Sequence, residues 1–148
     1  FVLILKTWGK ALVLIMITTI IIQIITHTTQ ANNQIALQNL FNSNPVFIAI
    51  LAMFYAPIAE ELMFRGVFRK FIKNKKLFII VSGVVFGLMH VIDDSKTLAE
   101  FSYVFVYSIL GIYLAGIYAK TNNLCTNIFM HFMQNTLSVI GMILLMFM

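Results

Sequence analysis

Residues 45–65 read PVFIAILAMFYAPIAEELMFR, an apolar stretch that carries two adjacent glutamates, Glu60 and Glu61, near its end. A transmembrane helix needs about 20 mostly apolar residues, and this stretch is long enough. A carboxylate inside hydrocarbon is costly, so an acidic residue within a membrane span marks a candidate functional site. The stretch therefore predicts an all-α membrane fold and also indicates where its chemistry lies.

The composition of the whole chain agrees with a membrane fold. Of its 148 residues, 61% are hydrophobic and 10% are charged, whereas soluble domains have about 45–50% apolar and about 25% charged residues. We predict a polytopic transmembrane helical bundle of about five spans, near residues 8–27, 45–70, 77–92, 98–119 and 124–147. Residues 1–148 would form a single membrane-embedded domain. The chain starts inside an apolar run, which is typical of an N-terminally truncated longer bundle.

The segment 30–42, between the first two predicted spans, is polar with a few apolar positions. The sequence leaves open whether it forms an interfacial helix or an external loop.

The basic residues predict the topology. The net charge is +5. Six of the ten basic residues crowd the join between the second and third predicted spans: Arg65, Arg69, Lys70, Lys73, Lys75 and Lys76. Such loops face the cytoplasm and its anionic lipid, so we expect the lipid bilayer and no nucleic acid as a partner. We predict a multi-pass protein of a cell membrane, with its N-terminus cytoplasmic and its C-terminus outside. Many Lys, Ile and Asn residues are typical of an AT-rich bacterium, which favours a bacterial plasma membrane.

Three further polar residues lie well inside predicted spans, at depths similar to that of Glu60. His90 is in the third predicted span, and His131 and Asn135 are in the fifth. With a rise of ~1.5 Å per residue, the four side chains lie between about 8 and 20 Å from the basic ends of their spans. Helix tilt can bring them into one layer in the inner half to the middle of the membrane, which predicts a shared site.

Helical spacing assigns faces to these residues. Glu61 and Arg65 are separated by four positions and can form an ion pair on one face. Glu60 then lies about 100° round the helix, facing the interior of the bundle. His131 and Asn135 are also separated by four positions and share a face.

Two glycines are expected to bring the third span close to a neighbour. Gly83 and Gly87 form a G-x-x-x-G pattern, which allows close approach of helices. His90 lies on the same stripe, so close packing would carry it toward the centre of the bundle. Pro57 is expected to weaken the helix one turn before Glu60.

These residues resemble the three motifs of the CAAX-protease and bacteriocin-processing family of intramembrane proteases, also called the Abi family. The motif EExxxR is matched at 60–65, FxxxH at 86–90 and HxxxN at 131–135. Each motif is weak alone, but three in this order on three expected helices are a specific signal. The resemblance covers about half the chain, with its catalytic-motif core at 60–135.

The resemblance implies an all-helical, glutamate-dependent endopeptidase that needs no cofactor. The catalytic residues would be Glu60, His90, His131 and Asn135. The supporting residues would be Glu61, Arg65 and Phe86. The glutamate and the first histidine would activate water, and the second histidine and the asparagine would stabilise the oxyanion. The substrate would be hydrophobic, lipidated or a leader peptide, in peptide maturation or bacteriocin immunity, and we expect it to enter from the cytoplasmic side.

Two other interpretations stay open. Glu60, His90 and His131 would also suit a zinc-dependent membrane protease, with an open fourth position on the metal. The single cysteine, Cys125, adds no support for a thiolate site. Alternatively, the chain is not an enzyme: intramembrane glutamate and histidine mark proton relays, so a proton-coupled transporter subunit or a peptide-binding immunity or scaffold protein also fits.

Overall fold

A computed structural model describes residues 1–147, and all regular structure in this part of the chain is helical. We number the main helices α1 to α6 in chain order. They are α1 (Val2–Thr26), α2 (Asn32–Ser43), α3 (Pro45–Phe71), α4 (Lys75–Met89), α5 (Val104–Thr121) and α6 (Leu124–Met146). A single helical turn, Leu98–Phe101, precedes α5. The predicted all-α bundle is therefore confirmed.

The number of helices able to cross a membrane differs from the prediction. Among the described residues, four are long and apolar enough, namely Val2–Thr26, Pro45–Phe71, Leu98–Thr121 and Leu124–Met146. The predicted third span corresponds to α4, which has 15 residues and is about 22 Å long, shorter than a hydrocarbon core of about 30 Å. Helix α4 ends at Met89, and the following turn contains Asp93 and Asp94. Two aspartates cannot extend an apolar helix into hydrocarbon, which explains the shorter element.

Asparagines define the ends of the helices that carry the predicted site. The side chain of Asn44 accepts a hydrogen bond from the backbone N–H of Phe47, with Pro45 in the first turn of α3. Asn74 caps α4 and Asn123 caps α6 in the same way. Asn122 adopts the left-handed conformation that ends α5. Because Asn and Pro are favoured at these positions, the local sequence fixes where each helix begins.

Helices α4 and α5 pack in close contact through glycines. A Cβ at Gly83 would lie 2.7 Å from the backbone nitrogen of Ile112, and one at Gly111 would lie 2.7 Å from the carbonyl oxygen of Gly83. Only glycine permits this approach, so the predicted G-x-x-x-G contact is present. The hydroxyl of Ser82 donates to the carbonyl of Phe64 and joins α4 to α3.

Three buried apolar clusters hold the bundle together. The largest joins α1, α3, α4, α5 and α6 and consists of Ala11, Phe64, Phe86, Leu110, Leu114, Ile117 and Met130. A second cluster anchors the residue before α2, Ala31, against Tyr103 and Val104. A third anchors the end of α2 through Phe41 to α3 and α6. The segment 30–42, left open by the sequence, is therefore mostly helical and is fixed at both ends.

Candidate active site

The two adjacent glutamates lie in an α-helical stretch of α3, Ala56–Glu61, between two π-helical turns. The turns span Leu51–Tyr55 and Leu62–Val67. A π-helical turn changes the direction in which successive side chains point and is frequent at functional sites. The side chain of Glu61 is fully buried, whereas that of Glu60 is 28% exposed. The neighbours therefore occupy different environments.

Glu61 is the centre of a buried polar network. Its Oε1 lies 3.0 Å from Nη1 of Arg65, and Nη2 of Arg65 donates to the carbonyl of Gly111 at 2.9 Å. Its Oε2 accepts from Nδ2 of Asn127 at 3.1 Å. Asn127 also donates to the carbonyl of Leu114. This network neutralises Glu61 and ties α3 to α5 and α6.

Asn127 is a site residue that the sequence reasoning missed. It is fully buried and lies four positions before His131, on the same face of α6. That spacing, in an otherwise apolar helix, is the signal that could have identified it.

His131 joins the two glutamates. Its Nδ1 lies 2.9 Å from Oε1 of Glu61, and its Nε2 lies 3.8 Å from Oε2 of Glu60. Because a carboxylate paired with Arg65 only accepts hydrogen bonds, Nδ1 carries a proton. The imidazole is thus fixed with Nε2 directed at Glu60.

His90 presents its ring to Glu60 from α4. Its Nδ1 lies 2.8 Å from the carbonyl oxygen of Phe86, so this nitrogen also carries a proton. Its Nε2 lies 3.9 Å from Oε2 of Glu60. The ring stacks on Tyr107 with centroids 4.7 Å apart and contacts the ring of Phe86 at 4.4 Å. Tyr107, also missed at the sequence level, therefore helps to fix the orientation of His90.

Phe86 contacts several groups of the site at once. Its ring meets that of His131 edge-on at 5.7 Å, and the guanidinium of Arg65 lies 5.1 Å from its centroid. The side chain is fully buried. It thus packs against Arg65 and both histidines of the site.

Asn135 lines the same cavity as the other site residues, but one of its amide hydrogens is already hydrogen-bonded within the protein. Its Nδ2 donates to the carbonyl of Ala52 at 2.8 Å. In the adjacent π-helical turn, the N–H of Ala56 donates to the carbonyl of Leu51, five positions earlier. In the same pattern the carbonyl of Ala52 would accept from residue 57, but Pro57 has no N–H. Asn135 supplies the missing donor. One amide hydrogen remains for another partner.

A cavity of about 660 Å³ adjoins these residues. Glu60, His90, His131 and Asn135 all line it. From α6 the lining takes residues from His131 toward Met142, and it includes none of the described residues 124–130. From α1 it takes Ile15 and later positions. The cavity therefore extends from Glu60 toward the α2 end of the bundle, away from the basic loop.

This direction is opposite to the expected entry from the basic, cytoplasmic side. The reason is that the other half of the bundle is filled. It is occupied by the buried ion pair of Glu61 and Arg65, by the hydrogen-bonded Asn127 and by the rings of Phe64 and Phe86.

Within the described residues, no group of three or more His, Cys, Asp or Glu is arranged to hold a metal ion.

Comparisons with known proteins give a consistent result. Residues 42–137 match the family described as type II CAAX prenyl endopeptidase Rce1-like. The chain is 29% identical over 114 residues to the Bacillus subtilis protein named "Putative membrane peptidase YdiL", a match that covers 75% of this chain and 43% of that protein. It is 28% identical over 126 residues to the UPF0177 protein YvdC of Lactococcus lactis, covering 84% of this chain and 46% of YvdC. The chain thus spans less than half the length of these relatives. No solved structure matches it significantly.

Proposed function

The chain belongs to the Rce1-like family of type II CAAX prenyl endopeptidases, and on that premise we propose that it hydrolyses a peptide bond inside the membrane with a water molecule activated by Glu60. The observation that carries the proposal is that two histidine nitrogens approach the same carboxylate oxygen of Glu60. Oε2 of Glu60 lies 3.8 Å from Nε2 of His131 and 3.9 Å from Nε2 of His90. This oxygen is buried and has no hydrogen-bond partner among the described residues.

The distances suit a bridging water. They exceed the reach of a direct hydrogen bond, but two groups about 4 Å apart can both bind one water molecule at about 2.8 Å. Nε2 of neutral His90 accepts, because its Nδ1 holds the proton. A water that donates to both Glu60 and His90 is oriented with a lone pair free to attack a carbonyl carbon, and Glu60 takes its proton.

His131 and Asn135 are the proposed donors to the oxyanion. His131 can donate from Nε2 only with both ring nitrogens protonated, since Nδ1 is bonded to Glu61. Asn135 would use the amide hydrogen that Ala52 leaves free. Each such donor is typically worth about 10²–10³-fold in rate. The proton held by Glu60 then passes to the leaving amine.

The decisive experiment compares peptides released in membranes that contain the wild-type chain and the Glu60→Gln variant. We expect cleavage to fall by about 10²–10⁴-fold in Glu60→Gln, the range for loss of a general base. Glu100→Gln is the matched control, because Glu100 is a glutamate of the capping box before α5 and does not line the cavity. Undiminished cleavage in a folded Glu60→Gln protein would refute the proposal.

We also propose that the reaction needs no metal, with a hydrophobic or lipidated peptide as substrate in a bacterial plasma membrane. Cleavage should then persist after treatment with EDTA and 1,10-phenanthroline. Loss of cleavage on chelation, restored by zinc, would instead favour zinc held by Glu60, His90 and His131. A proton flux that survives Glu100→Gln but not Glu60→Gln, without any cleaved peptide, would favour a transporter.

A further inference from the structure

The cavity has a second wall, which the proposed chemistry does not use. Helix α2 and the residues just before it contribute Gln30, Asn33, Gln34 and Leu37. Asn33, Gln34 and Leu37 lie within α2 at spacings that place them on one side of the helix, and Gln30 lies just before the helix. The first half of α2 therefore has one side against the cavity.

Side-chain amides are the most frequent kind of polar side chain in the lining. Two other helices contribute amides besides α2. The six amide residues are Gln23, Gln30, Asn33, Gln34, Gln134 and Asn135. Bonds within the protein leave part of this capacity free: Gln23 donates to the carbonyl of Thr29, and Gln134 accepts from the indole N–H of Trp8. Each amide has two N–H groups and an oxygen with two lone pairs, so unused donors and acceptors remain.

Such a wall complements a peptide backbone. A peptide in a membrane cavity exposes N–H and C=O groups that cost several kcal/mol each if left unpaired in an apolar environment. Side-chain amides can pair with both kinds of group, whatever the side chains of the peptide. Among the described lining residues, Glu60 is the only carboxylate, and no lysine or arginine is present. A charged aspartate of a peptide would lose its hydration in this lining, which holds no lysine or arginine to pair with it.

The placement of the wall adds a direction. The amides of α1 and α2 lie beyond Glu60, toward the end of the bundle opposite the basic loop. Because α2 is anchored at both ends by buried residues, this wall is a fixed surface. The volume of the cavity, about 660 Å³, falls within the range of about 300–1,000 Å³ typical of ligand sites.

We propose that the amides on and just before α2, together with Gln23 of α1, form a subsite that binds the backbone of an extended, uncharged peptide segment, which reaches Glu60 from the α2 end of the bundle. The purpose of the subsite rests on the proposed function, since its position next to Glu60 serves cleavage. Its existence does not depend on cleavage, so binding is the better measurement.

The test uses the full chain in lipid nanodiscs in the Glu60→Gln background, so that no peptide is consumed. A photo-cross-linking residue replaces Gln34 or, as the matched control, Gln38. Gln38 lies on the same helix and bonds to Asn42 instead of lining the cavity. The probes are a synthetic peptide of alanine, serine and leucine, and an analogue in which two serines are replaced by aspartate.

We expect the neutral peptide to be cross-linked from position 34 but not from position 38, and about fivefold more strongly than the aspartate analogue. Equal labelling from the two positions, or equal labelling of the two peptides, would overturn the proposal.

A variant supplies a second readout. Gln34→Leu should weaken binding of the neutral peptide about fivefold, the effect of one lost hydrogen bond. Gln38→Leu should not change it. If Glu60→Gln cleaves as well as the wild-type chain while the labelling pattern is as expected, the proposed mechanism fails and the subsite stands.

Discussion

Replacing Gly83 by alanine should move α4 away from α5 and disturb the position of His90. The added Cβ would lie 2.7 Å from the backbone nitrogen and 2.9 Å from the Cα of Ile112, whereas ordinary contacts begin at 3.4 Å. The helices would have to separate by about 0.7 Å, because backbone atoms cannot rotate away as side chains do. Overpacking of this kind costs about 1–3 kcal/mol. A displacement approaching 1 Å at a catalytic group can also reduce the rate by about 10²-fold.

Gly116 and Gly141 provide matched controls for this prediction, because a Cβ at either position meets no atom within 4 Å. Alanine there should leave the free energy of unfolding unchanged or raise it by about 0.5–1 kcal/mol. The measurement is reversible unfolding in mixed SDS micelles, followed by circular dichroism. If Gly83→Ala is as stable as Gly116→Ala, the contact between α4 and α5 does not determine the packing, and the reasoning fails.

Three further predictions concern the filled half of the bundle. Arg65→Met should lower the free energy of unfolding by about 3–5 kcal/mol, because it leaves the buried Glu61 without a cation. The double variant with Glu61→Gln should recover much of this loss. If Arg65→Met alone were as stable as the wild-type chain, the role of the ion pair would be contradicted. Asn127→Leu should cost about 1–3 kcal/mol in the same assay, since it leaves acceptors on Glu61 and Leu114 without their donor. Cys125, exposed at the basic end, should react with a membrane-impermeant maleimide in inverted vesicles but not in intact cells. Labelling in intact cells would reverse the proposed topology.

The features that the sequence predicted well are those that depend on local spacing. The ion pair of Glu61 and Arg65 follows from the four-residue separation in one helix, and the contact at Gly83 follows from the absence of a side chain. Both are present in the structure. The approach of His90 and His131 to Glu60 could be predicted as a shared depth, because depth is also a local quantity along each helix.

The features that it did not predict depend on how the helices are arranged. The bond between Glu61 and His131 joins residues 70 positions apart, and helical spacing assigned Glu61 only to Arg65. The amide of Asn135 bonds to Ala52 because a π-helical turn and Pro57 leave that carbonyl without a donor. Neither the turn nor the direction of the cavity has a signature in the pattern of apolar residues, so the sequence could not predict that the cavity extends toward α2.

The adjacency of the two glutamates has a consequence for the proposed mechanism. If both carboxylates are ionised, the single charge of Arg65 balances one of them, and the network of buried bonds assigns that balance to Glu61. The second negative charge then lies at the cavity wall, where Glu60 faces His90 and His131. An unbalanced charge in a membrane interior is costly, so a shared proton on this group of three side chains restores neutrality. Hydrolysis requires a group of this kind, which accepts a proton from water and later delivers one to the leaving amine. In the proposed mechanism, Glu61 and Arg65 would therefore act without contacting the substrate, because they leave only the neighbouring carboxylate free to exchange protons.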